Sequence, residues 1–199
     1  MITAVVFDLG GVLASPPSLL PTLAARMGAT AQRVAEHYWT GRAAYDAGGS
    51  AEGYWGTLVA ASGGSAGSDP DELALLDASV WSELRPSAWQ VLRDCRAAGV
   101  IVAILSNSPH AMQSVADRSE WRSDVDHLFV SATLGMMKPD PPIYRAVEVA
   151  LDLSGERIAF IDDKQANVDG ALALGWQAHL WTDDADTRAW LVGLGVLAR

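Results

Sequence analysis

Residues 4–13 read AVVFDLGGVL, an apolar run that meets a carboxylate at Asp8 and then turns through Gly10 and Gly11. A run this short, apolar on successive residues, suits a strand of a parallel sheet covered on both faces. Ala4–Leu9 is therefore expected to be a strand, with Asp8 near its carboxyl end. Four further runs share this character: Ile101–Leu105, Leu128–Ala132, Ile158–Ile161 and Ala178–Trp181. Helical patterns lie between most of them. Pro86–Ala98 has a proline suited to a first turn and stops before Gly99. Pro141–Leu151 gathers Ile143, Ala146, Val147, Ala150 and Leu151 on one face. Ala166–Leu174 stops before Gly175. Strands alternating with helices predict an α/β fold with a doubly wound parallel sheet.

Residues 15–84 break this rhythm. The stretch is helical in pattern over Ala31–Trp39, Ala51–Ala61 and Asp71–Leu84, and it is interrupted by GGS at 48–50 and SGGSAGSDP at 62–70. It contains no convincing strand. The expectation is a core of residues 1–14 and 85–199, with a helical domain of residues 15–84 inserted after the first strand.

Bulk properties narrow the partners. The chain has 199 residues, half of them apolar, with a formal net charge of -10 and an isoelectric point near 4.7. So acidic a surface repels nucleic acid and anionic membranes, and neither is expected as a partner. It does not exclude an anionic substrate, because a metal and a lysine can sit beneath an acidic exterior. The single cysteine, Cys95, precludes an internal disulfide and reads as a buried thiol. No basic leader precedes the first apolar run, and no run is long enough to span a bilayer. A cytoplasmic protein, monomeric or weakly dimeric, is the expectation.

Polar residues follow several of the apolar runs, where open α/β sheets bind ligands. Asp8 ends the first, Ser106 and Asn107 the second, and Asp162 and Asp163 the fourth, while Lys138 follows the third in GMMKPDPPIY. Taken singly, each is ordinary. An aspartate after a strand commonly forms a turn or caps a helix, and Lys-Pro is commonly a solvated loop. Together they are complementary. Asp8 can attack phosphorus as a nucleophile. Asp162 and Asp163 would repel one another unless a hard cation joined them, and Mg²⁺ suits one or two carboxylates plus a substrate phosphate. Ser106 and Asn107 can donate to a phosphate oxygen, and Lys138 can neutralise the same anion.

In these residues the sequence resembles the haloacid dehalogenase superfamily, over nearly the whole chain. The four motifs stand as FDLGGVL with Asp8, ILSNS with Ser106, GMMKPDPPIY with Lys138, and FIDDKQANVDGA with Asp162 and Asp163. The helical insert resembles the C1-type cap. Within the superfamily the chain is similar to the sugar-phosphate phosphatase branch and to the phosphatase domain of epoxide hydrolases. The resemblance implies a Rossmann-like core and a phosphatase acting on a small phosphorylated metabolite through an aspartyl-phosphate. It also implies Mg²⁺ held by Asp8, the Gly10 carbonyl and the last acidic motif. On that pattern Asp163 is the direct ligand and Asp162 stands behind it. The family's phosphatases usually carry an aspartate two residues after the nucleophile, as general acid and base. Here that position is Gly10, which predicts slow turnover of alkyl phosphates, since a positioned acid is worth roughly 10²–10⁴-fold.

The insert should set specificity. Arg42 and Tyr45, close to the turn at Gly48 and Gly49, are the residues expected to face substrate, whereas Trp39, Tyr54 and Trp55 are expected to pack the insert's interior. His37, His110, His127 and His179 show no metal-ligand spacing and are taken as incidental. Two rival functions stand. One is a 2-haloacid dehalogenase, which would use Asp8 without a metal and for which the paired aspartates are a liability. The other is a binding or regulatory protein on the same fold.

Overall fold

The computed structural model describes residues 1–65 and 67–198. Five strands form one parallel sheet in the order β3-β2-β1-β4-β5: β1 (Ala4–Phe7), β2 (Ile101–Ser106), β3 (His127–Val130), β4 (Ile158–Asp162) and β5 (Gln177–Leu180). The central β1 is buried along its whole length, as its unbroken apolar run requires. Its register aligns Phe7 with Ile104 on one side and Ile161 on the other. Asp8, Ser106 and Asp162 therefore emerge at the same edge of the sheet.

Helices cover both faces. On one face α6 (Pro86–Ala97) and α11 (Asp184–Gly193) pack over Val5, Phe7, Val102 and Ile104. On the other, α9 (Pro141–Leu151) and α10 (Gln165–Leu172) cover Val6, Ala103 and Phe160, with Tyr144 and Trp176 set edge-on to the Phe160 ring. Cys95 lies on the buried face of α6, and burial pushes its thiol up to about 12, an inert apolar filler.

Between β1 and α6 the described residues form five helices: α1 (Leu19–Met27), α2 (Ala31–His37), α3 (Arg42–Asp46), α4 (Ala51–Ser62) and α5 (Pro70–Trp81). They enclose a separate apolar cluster that includes Leu23, Met27, Val34, Tyr38, Trp55 and Leu73. The chain leaves for these helices and returns from them side by side, with Arg85 N donating to Leu13 O at 2.9 Å. Asp69 caps α5 by accepting from Asp71 N at 2.8 Å, and Pro70 occupies the first turn, where its missing N–H costs nothing.

Several boundaries differ from the sequence expectation. Strand β1 ends at Phe7 rather than Leu9, because the Leu9 carbonyl turns back to accept from Leu13 N at 2.9 Å and Ala14 N at 2.8 Å. Strand β3 ends at Val130. Ser131 opens a short helix, α8 (Ser131–Leu134), because its side chain is drawn into contacts between the core and the insert. The last helix of the insert stops at Trp81 instead of Leu84. Helices α1, α3, α7 (Ala111–Ala116) and α11 were not expected from the sequence; α3 and α7 are too short to carry a period, whereas α1 does carry one in Leu19, Leu23 and Met27.

Candidate active site

The carboxyl ends of β1, β2 and β4 and the loop carrying Lys138 meet beneath the helical insert. They enclose a cleft of about 590 Å³ that Asp8, Ser106, Lys138 and Asp163 line from the sheet side and Trp39, Arg42, Asp46 and Trp81 from the helical side. The sheet-side residues are those the motifs singled out, and the fold brings them together.

Lys138 is the hub. Its ammonium group is buried, and its Nζ makes an ion pair with Asp8 Oδ1 at 2.9 Å and donates to Asp162 Oδ2 at 2.6 Å and to the Leu105 carbonyl at 2.8 Å. Three donors meet three acceptors, so the ammonium is fully satisfied without water. Burial alone would depress the lysine, but the Asp8 and Asp162 carboxylates reverse this and raise it above the ordinary lysine range. Asn107 fixes the backbone of Lys138, its Nδ2 donating to Lys138 O at 2.8 Å and its Oδ1 accepting from Lys138 N at 2.9 Å. The peptide bond that follows, Lys138–Pro139, is cis. Most of the Asn107 amide is thus committed to the Lys138 loop rather than left for a phosphate.

Asp8 is buried, with its Oδ1 accepting from Leu9 N at 2.7 Å as well as facing Lys138. No protein group among the described residues donates to its Oδ2, which leaves that oxygen for chemistry in the cleft. Burial pushes the Asp8 carboxyl up to about 7; Lys138 opposes the rise, and Asp162 and Asp163 add to it. The Ser106 hydroxyl, at the end of β2, is likewise without a hydrogen-bonded side-chain partner among the described residues and lines the same space.

The two adjacent aspartates have different surroundings. Asp162, the last residue of β4, is wholly buried: its Oδ2 takes Lys138, and its Oδ1 accepts from Lys164 N at 2.9 Å and Asn167 Nδ2 at 2.9 Å. Asp163 is exposed to the cleft, and partial burial together with Asp162 raises its carboxyl above the usual range. It lies against Gly11, whose φ is +86°, and a Cβ at that position would run into the Asp163 carboxylate. Glycine is required there for both reasons. One ligand oxygen from each of Asp8, Asp162 and Asp163 lies within 4.8 Å of the others. Three carboxylates face one buried ammonium, Lys138, with the exposed Lys164 beside Asp163 at the rim, so negative charge remains in excess. Hard oxygen donors in that number, with that deficit, fit a small divalent cation such as Mg²⁺.

Gly10 has no unusual φ that would bar a side chain. Instead, the indole of Trp81 lies over it, 3.4 Å from where a Cβ would stand. Trp81 Nε1 donates to the Tyr38 hydroxyl at 2.8 Å, which donates in turn to Asp77 Oδ1 at 2.6 Å. Arg42 completes this network. Its Nε donates to Asp46 Oδ1 at 2.7 Å, its guanidinium pairs with Asp77 Oδ2 at 3.2 Å and also donates to Tyr38, and the Tyr38 and Tyr45 rings lie 5.2 and 5.8 Å away. Burial pushes Asp46 up to about 6 against the pull of Arg42.

The insert's contribution differs in two places from the sequence expectation. Arg42 does line the cleft, but Tyr45 is buried behind it, stacked on Tyr54 with ring centroids 4.5 Å apart and edge-on to Trp55. Trp39, expected to be interior, is 63% exposed and lines the cleft. The reversal follows from α3, which is one turn long and begins after Gly41 in a left-handed conformation, so no periodicity fixes which side faces inward. Tyr54 and Trp55 are buried as expected. Sequence reasoning missed Asp46, Trp81 and Asn167. The (i, i+4) spacing of Arg42 and Asp46 was a signal available for the first. The stacking of Trp81 over Gly10 joins residues 71 positions apart and left no local trace.

A family model described as haloacid dehalogenase-like hydrolase matches residues 2–175. A phosphatase of Mycobacterium tuberculosis is 32% identical over 120 residues, covering 59% of this chain and 55% of its own length. An (S)-2-haloacid dehalogenase of Pseudomonas putida is 29% identical over 92 residues, covering 46% and 41% respectively. The chain thus spans about half the length of such relatives. Among solved structures, a haloacid dehalogenase family enzyme of Bacteroides thetaiotaomicron, in complex with magnesium and inorganic phosphate, superposes with a TM-score of 0.72 at 19% identity, over 92% of this chain and 95% of that one. At that identity the likeness speaks for the fold. No helix among the described residues is long and apolar enough to cross a membrane.

Proposed function

The chain belongs to the haloacid dehalogenase-like hydrolase family, and we propose that within it the protein is a Mg²⁺-dependent phosphatase that cleaves a small phosphorylated metabolite through an aspartyl-phosphate on Asp8. The observation that carries this reading is the charge of the site. Asp8, Asp162 and Asp163 converge on the one buried ammonium of Lys138, and the exposed Lys164 beside Asp163 still leaves the carboxylates in excess. A dehalogenase needs no metal, and for it this surplus of negative charge would be a burden. For a phosphatase it is a cation seat beside the nucleophile.

The roles follow from what each side chain is free to do. Asp8 Oδ2, without a protein partner, attacks phosphorus, while Leu9 N and Lys138 hold Oδ1 and fix the direction of attack. The Ser106 hydroxyl donates to a phosphoryl oxygen, and Lys138 offsets charge on the phosphoryl group and on Asp8 together. Asn107 positions Lys138 through its backbone. Asp163, open to the cleft, would be the direct metal ligand with Asp8 and the Gly10 carbonyl, whereas Asp162 is already committed to Lys138, Lys164 and Asn167 and braces the site. A bound Mg²⁺ would neutralise the carboxylates and polarise the phosphoryl group. The insert, with Trp39, Arg42 and Trp81 facing the cleft, selects the leaving group.

Relatives that are dehalogenases keep 2-haloacid hydrolysis as the second reading. One experiment separates the two. Purified protein is offered a panel of phosphorylated metabolites and 2-haloacids, with and without Mg²⁺. Phosphate release that requires Mg²⁺ supports the proposal. Halide release that ignores EDTA would replace it.

A further inference from the structure

Phosphate ester cleavage leaves an alkoxide that needs a proton, and the usual place for its donor, position 10, holds a glycine covered by the Trp81 indole. The other titratable groups lining the cleft are few. Asp8 and Asp163 belong to the acidic cluster, the Lys138 ammonium is spent on three acceptors, and Arg42 does not give up a proton. Lys164 stands exposed at the rim. Asp46 is the carboxyl that remains.

Its setting is built rather than incidental. Asp46 is buried at the end of α3, and Arg42 Nε clamps its Oδ1 at 2.7 Å. No protein group among the described residues donates to Oδ2. The main chain of Asp46 is anchored to the core: the wholly buried Ser131 hydroxyl donates to the Asp46 carbonyl at 2.6 Å and accepts from Ser108 N at 2.9 Å. Ser108 lies two residues beyond Ser106, so a single hydroxyl registers the insert's carboxyl against the loop that faces the phosphoryl group.

Given the phosphatase reading on which it rests, we propose that Asp46 is the general acid and base of the reaction, supplied from the helical insert in place of the absent side chain at position 10. As Asp8 Oδ2 bonds to phosphorus, the bond from phosphorus to the ester oxygen breaks, and that oxygen keeps the electron pair and takes the proton from Asp46 Oδ2. The alcohol departs. The Asp46 carboxylate then takes a proton from water as the water oxygen bonds to phosphorus and the bond to Asp8 breaks. Inorganic phosphate leaves, and both carboxyl groups return to their starting states. The charged groups facing Asp46 are Arg42, which lowers its pKa, Asp77, which raises it, and Lys164, which lowers it. Burial outweighs them and pushes the carboxyl up to about 6, in the range to which catalytic carboxyls are tuned. On this proposal alkyl phosphates turn over without the penalty that Gly10 alone would impose.

The test is a leaving-group series, from 4-nitrophenyl phosphate to phenyl and ethyl phosphate, with Mg²⁺, on the wild type and on Asp46→Asn. The wild type should show a shallow dependence on leaving-group basicity. Asp46→Asn should lose roughly 10²-fold or more with ethyl phosphate. Its first turnover of 4-nitrophenyl phosphate should be nearly unchanged and followed by slow steady-state release, a burst that reports a phosphorylated Asp8 waiting for its base. A steep wild-type dependence, or equal losses for aryl and alkyl esters in the variant, would overturn the assignment. The wild-type series decides even if the variant fails to fold. Absence of Mg²⁺-dependent phosphate release from every ester by the wild type would remove the phosphatase reading itself, an outcome distinct from either.

Discussion

Replacing Lys138 with methionine removes the ammonium and keeps much of the side chain's length and apolar stem. The ammonium is buried and touches Asp8 Oδ1 at 2.9 Å and Asp162 Oδ2 at 2.6 Å, so both carboxylates lose their counter-charge at once. Breaking a buried pair by deleting one partner costs about 3–5 kcal/mol. For a chain of this size each kcal/mol shifts Tm by about 2–4 °C, so a fall of about 6–20 °C is expected near pH 8 without metal. The sign of the pH dependence follows from the same contacts. Lys138 holds the Asp8 pKa down, so its loss raises the folded-state value further above the unfolded one. Stability linked to a raised carboxyl pKa is present in acid and lost as pH rises through the folded value. The deficit of Lys138→Met should therefore be small near pH 5 and widen towards pH 8. Mg²⁺ should recover part of it, because a cation among the three carboxylates supplies the missing charge. Thermal melts of both proteins across this range, with EDTA and with Mg²⁺, measure all of this. A deficit under about 3 °C at pH 8, or one that grows in acid, would refute the view that this lysine neutralises the core of the site.

Three further outcomes test other parts of the account. Calorimetric titration with Mg²⁺ should show Asp163→Ala without measurable binding at millimolar metal and Asp162→Ala less severely affected, since Asp163 is open to the cleft whereas Asp162 is held by Lys138, Lys164 and Asn167; equal loss would put both aspartates on the metal. Gly11→Ala should weaken Mg²⁺ binding at least tenfold while costing only about 1–2 kcal/mol of stability, because the new Cβ meets the Asp163 carboxylate and the backbone is left-handed there; unchanged binding would show that Asp163 can move aside. Tyr38→Phe strips a hydroxyl shared by Asp77, Arg42 and Trp81, and should cost about 1–3 kcal/mol in denaturant unfolding, with no loss counting against the network as drawn.

How much of this was legible in the sequence depends on the range of the interactions concerned. The strands were readable because Ala4–Phe7 and Ile158–Asp162 are buried on both faces, and that burial writes itself as a continuous apolar run. The sheet side of the site was readable because parallel strands put their carboxyl ends together, so the polar residue after each run had to fall at one edge. The helical side was not. Which of Trp39 and Tyr45 faces the cleft depends on how a five-residue helix leaves Gly41, and so short an element carries no period. Asp162 and Asp163 are indistinguishable as letters. They differ because Lys138, Lys164 and Asn167 have already satisfied one of them. The cover of Trp81 over Gly10 and the bridge from Ser131 to Asp46 are tertiary contacts between distant segments, with no counterpart in local pattern.

The central claim is that Asp8 carries the phosphoryl group. The most direct measurement is rapid acid quench of the enzyme during turnover of 4-nitrophenyl phosphate with Mg²⁺, followed by mass spectrometry of the peptide containing residues 4–13. The account predicts a phosphoryl group on Asp8 that forms only with Mg²⁺, disappears once the substrate is exhausted, and is absent from Asp8→Asn. Turnover that proceeds with Asp8 never phosphorylated, or that persists in Asp8→Asn, would contradict it.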